Sequence, residues 1–74
     1  MTLDEINPGH ECSVVDVLAD GVLGQRLLDM GFVPGARIQV IRNAPLVDPV
    51  EIRIKGYLLS LRHAETKVVE VSFG

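Results

Sequence analysis

The run His10-Glu11-Cys12 sets an imidazole and a thiol two residues apart, and both are acceptable ligands for ferrous iron, zinc or another divalent transition metal. On a strand beginning there, side chains two apart share a face, so His10 and Cys12 would address one ion. A stable structural site takes about four ligands, and the second histidine of the chain, His63, lies far off beside Glu65. The plainer expectation is a small buried Cys12 in a core strand and a solvated His10. Catalytic chemistry has less to draw on. No serine, cysteine or lysine stands in a recognisable nucleophile setting, and the glycines form no phosphate-cradling loop. Asp16, Asp20, Asp29 and Asp48 read as solvent, cap and turn residues, so no enzyme is expected.

A second kind of chemistry is contact with a partner. In Ala44-Pro45-Leu46-Val47-Asp48-Pro49, Leu46 and Val47 are apolar where water favours polar turn residues. Pro45, Leu46, Val47 and Asp48 are therefore candidate partner-binding residues; the alternative is that Leu46 and Val47 fold inward and cap the core. Arg42, Arg53, Lys55 and Arg62 would make a basic patch if they shared a face, yet the net charge is −3. Binding to phosphate backbones rests on neutralisation by Lys and Arg. The aromatics Phe32, Tyr57 and Phe73 are too few for base stacking, and at least two of them read as core. Nucleic acid is not an expected partner.

The elements that must position these residues are short. Asn7-Pro8-Gly9 marks a first turn, and Cys12, Val14, Asp16 and Leu18 then alternate with Ser13, Val15, Val17 and Ala19 as a strand with apolar residues, and expected cover, on both faces. Leu23, Leu27 and Met30 recur at helical spacing, with Asp20 as N-cap, Gly31 at the left-handed C′ position and Phe32 folding back at C″. Pro34-Gly35 predicts a type II turn. Strands follow around Ile38 and Val40, around Val50, Ile52 and Ile54, and around Tyr57, Leu59 and Leu61. A wide, stiff two-proline loop joins the first pair and a turn at Gly56-Tyr57 joins the second. A single helical turn over 63–67 precedes a last strand carrying Val69, Val71 and Phe73.

With 74 residues and one cysteine, the chain is expected to be one domain, 1–74, without an internal disulfide and kept in a reducing compartment, the cytoplasm. The start Met1-Thr2-Leu3-Asp4-Glu5-Ile6 lacks the pattern of a secretory signal. A spanning helix needs about 20 apolar residues in a row, so a membrane-embedded chain is not expected. Mainly β architecture follows: a small, partly open barrel of about five strands, closed at one end by the helix. A two-layer α+β sandwich is the alternative.

Three ordered blocks resemble the FeoA family. They are Leu27-Leu28-Asp29-Met30-Gly31-Phe32-Val33-Pro34-Gly35, Arg42-Asn43-Ala44-Pro45-Leu46-Val47-Asp48-Pro49-Val50 and Gly56-Tyr57-Leu58-Leu59-Ser60-Leu61-Arg62. The residue before Asp48, often glycine in that family, is Val47 here. The resemblance implies an SH3-like barrel and a cytoplasmic accessory protein of bacterial ferrous iron uptake. Its partner would be the cytoplasmic part of a FeoB-type transporter; direct binding of ferrous iron, as a carrier or sensor, is the alternative. Metal-dependent repressors of the DtxR type carry a similar domain, but 74 residues leave no room for their DNA-binding and dimerisation parts.

Overall fold

Alternation of aliphatic and polar residues builds the framework, because in an extended chain successive side chains leave opposite faces. The computed structural model describes residues 1–73. Five strands, β1 (Glu11–Val17), β2 (Arg37–Arg42), β3 (Val50–Ile54), β4 (Tyr57–Leu61) and β5 (Val69–Ser72), form one antiparallel sheet in the order β4-β3-β2-β1-β5. The sheet is unclosed between β4 and β5. Helix α1 (Gly21–Asp29) joins β1 to β2, and the four-residue α2 (His63–Thr66) joins β4 to β5. No helix of the described residues is long and apolar enough to cross a membrane.

Cys12, Val14, Ile38, Val40, Val50, Ile52, Ile54, Leu61, Val69 and Val71 point from the strands into one core. Leu27 and Phe32 enter it from α1 and its exit. The helix ends as its sequence predicts: the Gly31 N–H donates to Leu28 O at 3.0 Å and the Phe32 N–H to Leu27 O at 3.1 Å, a Schellman pairing with Gly31 at φ +104°. Asp20 takes the N-cap position, but its side chain makes no capping bond. Leu3 and Ile6, absent from the sequence reading of the core, fill it from below. Leu3 opens and Ile6 caps a single 3-10 turn, Leu3–Glu5, too short to show a hydrophobic period.

Several expectations are corrected. β1 is not covered on both faces: Val15 and Leu18 are exposed, because the sheet is a single layer curled round its core. The β1–β5 register shifts between Val14 and Asp16, and the β2–β3 register between Val40 and Arg42. Such bulges bend a strand and reset its alternation: Asp16 and Arg42, which an unbroken period of two would send inward, face out, and Val17 packs against the core. The β3–β4 turn is Lys55-Gly56, both at positive φ, rather than Gly56-Tyr57, with Ile54 and Tyr57 the pair that closes the hairpin. Phe32 alone of the three aromatics is buried. Tyr57 lies at the hairpin turn, where its hydroxyl donates to Met30 O at 2.9 Å, and Phe73 falls beyond β5.

Gly24 is buried in α1, and a Cβ there would lie inside contact distance of the Ala19 carbonyl oxygen. Helix propensity favours alanine over glycine by about 0.5–1 kcal/mol, whereas forcing apart packed backbone costs on the order of 1–3 kcal/mol. Gly24→Ala is thus expected to lower stability in urea denaturation, and a gain would show that α1 does not approach this closely.

Candidate functional site

Proline at the second position of a turn presets φ, and the third position of a type II turn then needs positive φ. The chain uses this device three times. In Asn7-Pro8-Gly9-His10 and Val33-Pro34-Gly35-Ala36 the third residue is glycine, at φ +88° and +90°, and the closing bonds run from His10 N–H to Asn7 O at 3.2 Å and from Ala36 N–H to Val33 O at 3.0 Å. In Ala44-Pro45-Leu46-Val47 the third residue is leucine, at φ +60°, and Val47 N–H donates to Ala44 O at 3.2 Å. A side chain in the left-handed region costs roughly 1–2 kcal/mol. The strained residue is also the tip: Leu46 is 100% exposed and Val47 55%. Neither caps the core, so nothing inside the fold repays the strain through packing.

Other elements hold the loop in place. Asn43 Nδ2 donates to Asp4 O at 3.0 Å and Ile6 O at 2.9 Å, tying the start of the loop to the N-terminal segment. At the other end the Asp48–Pro49 peptide is cis, and Asp48 Oδ1 accepts the His63 backbone N–H at 2.8 Å. The His63 ring lies under the turn, with Nε2 at 3.0 Å from both Ala44 O and Val47 O. Beside it a concavity of roughly 560 Å³ is walled by Asp4, Asn7, Asn43, Asp48, His63 and Lys67.

His63 was missed by sequence reasoning, although a signal existed. A two-residue turn at Lys55-Gly56 pairs Ile54 with Tyr57 and, four steps on, Val50 with Leu61; two more steps bring Asp48 opposite His63. Hairpin register, not local pattern, carries the information.

The metal candidates are placed differently. Cys12 is fully enclosed in the core, where burial pushes its thiol above the ordinary range and Arg37 pulls less strongly the other way. A neutral, enclosed thiol is a poor ligand. β1 begins at Glu11, so His10 precedes the strand; it is exposed, its ring edge-on to Phe73 with centroids 6.2 Å apart. Among the described residues no group of three or more His, Cys, Asp or Glu side chains is placed to hold a metal ion. Of the basic residues, Arg42 pairs with Glu51 at 3.3 Å across β2 and β3.

Comparison with known proteins places this geometry among relatives. The FeoA domain family matches residues 1–72. A fusion of Fe(2+) transport protein A with the Fe(2+) transporter FeoB from Porphyromonas gingivalis is 44% identical over 96% of the chain, which spans only 8% of that protein's length. The solution structure of iron(II) transport protein A from Clostridium thermocellum superposes with a TM-score of 0.90 at 34% identity, covering 99% of this chain and 45% of that one. A zinc complex of FeoA from Stenotrophomonas maltophilia, an SH3-domain protein, has a TM-score of 0.87 at 28% identity, covering 97% and 89%. The mainly β, SH3-like architecture is thereby established.

Two outcomes follow from the site itself. Leu46→Gly removes left-handed strain and no packing, so thermal unfolding is expected to show a gain of about 0.5–1 kcal/mol despite glycine's greater freedom when unfolded; a loss would mean that Leu46 supports the fold. Because its raised pKa keeps Cys12 protonated and the core encloses it, alkylation at pH 8 is expected to be slow in the native protein and fast once it unfolds. Rapid native labelling would make Cys12 available as a ligand after all.

Proposed function

Since the chain belongs to the FeoA family, a family of ferrous iron transport, we propose that it is a cytoplasmic accessory protein of bacterial iron uptake whose loop 44–49 docks on the cytoplasmic part of a FeoB-type transporter. The observation that carries this reading is Leu46, held at φ +60° and fully exposed. Strain at a residue that contributes nothing to the core is a mark of function. Leu46 and Val47 form an apolar tip, Pro45 stiffens it and Asp48 flanks it, a small rigid anchor of the type that fills a pocket on a partner. The P. gingivalis relative joins an Fe(2+) transport protein A to FeoB within one polypeptide, which supports the transporter as occupant.

A rigid domain of this size acts on a transporter by binding one of its conformations more tightly than another. Each tenfold difference in affinity biases that equilibrium by about 1.4 kcal/mol.

The test is an amide chemical-shift titration of the protein, first with ferrous iron under anaerobic conditions and then with the soluble cytoplasmic part of the transporter. Shifts centred on 44–49 are expected with the transporter and without metal. Leu46→Ala combined with Val47→Ser should weaken binding by about tenfold or more with an unchanged melting temperature. Full affinity in that variant sinks the docking reading, and saturable shifts with iron alone would favour a carrier.

A further inference from the structure

The imidazole of His63 stands between two backbone carbonyls that can only accept. With Ala44 O and Val47 O each 3.0 Å from Nε2, a lone pair on that nitrogen would face the lone pairs of both oxygens. Nε2 therefore carries the proton and shares it between them. Ala44 and Val47 are the first and fourth residues of the turn that displays Leu46, so one ring spans the turn from end to end. The direct bond closing that turn, at 3.2 Å, is long. Leu46 adds no packing, being fully exposed.

The backbone of His63 is fixed without help from the ring. Its carbonyl accepts from Thr66 Oγ1 at 2.7 Å and from the Lys67 N–H at 3.1 Å, and its N–H donates to Asp48. The ring is thus an arm projected from an anchored base onto the loop. From this geometry we propose that His63 is the positioning residue of loop 44–49: its Nε2–H holds the turn in the conformation that presents Leu46. On the docking reading above, on which its functional consequence rests, His63 sets affinity for the transporter through the loop, not by touching the partner.

The experiment has an arm that needs no partner. In the isolated protein the His63 Hε2 proton is expected to be visible by NMR and protected from exchange with water, with exposed His10 as the unprotected control. His63→Leu should raise amide exchange across 44–48 while leaving the strands protected, and weaken transporter binding about five- to tenfold. His63→Gln, whose side-chain amide places a donor near the Nε2 position, should recover most of both effects. A purely space-filling role would show the reverse order, with Leu the better substitute. Unchanged loop exchange in His63→Leu overturns the proposal, as does weakened binding with an unaltered loop, which would make His63 a contact residue. Should His63→Leu fail to fold, rapid exchange of the wild-type Hε2 overturns it equally. If the loop loosens as expected but even the wild type ignores the transporter, the latch stands and the docking reading alone falls.

Discussion

A small curled sheet has only one inside, and the inward alternation of aliphatic side chains is the constraint on which everything else in this structure depends. Every strand sends its alternate residues into a core closed by Leu27 and Phe32 on one side and Leu3 and Ile6 on another. With its lone thiol enclosed in that core, the chain has no disulfide to supplement hydrophobic burial, which yields about 1.5–3 kcal/mol for each large side chain. Gly24 against the Ala19 carbonyl shows how closely α1 folds back on the segment that leads into it. Because the interior is complete, Leu46 and Val47 are free to do something other than stabilise.

The three proline turns make this division of labour visible. Two of them use glycine at the position that needs positive φ, and each glycine N–H donates to a strand, Gly9 to Val40 O and Gly35 to Val14 O, both at 2.8 Å. The third bears leucine there, accepts the strain, and is braced by two side chains: Asn43, at the start of the loop, reaching to the N-terminal segment, and His63 reaching up from α2. The same backbone device thus builds both a connector and a presented apolar tip. What differs is one side chain and the hydrogen bonds around it.

Legibility in the sequence tracked the range of the interactions responsible. The C-terminus of α1 and the turn at Pro34-Gly35 are set by neighbours along the chain, and both formed as their residues predict. Strand positions were readable for the same reason. Val15 was misleading because cover on the outer face needs a second layer that a single curled sheet lacks, and Asp16 leaves the face of Cys12 and Val14 because a bulge breaks the period of two, which the partner strand decides. Leu3 and Ile6 lack any periodic context. At the candidate site the apolar pair Leu46 and Val47 stood out in the sequence, but whether it faced in or out depends on what else fills the core. His63 was silent because its role comes from being brought opposite Asp48 across a hairpin.

At the opposite edge of the sheet, the Val71 N–H donates to Met1 O at 2.9 Å and Thr2 bridges Glu70. The beginning of the chain is therefore knitted to its last strand, and polypeptide arriving at one extremity and polypeptide departing from the other share a common doorway. A module with this layout can be spliced into a larger protein at a single seam without prising its strands apart.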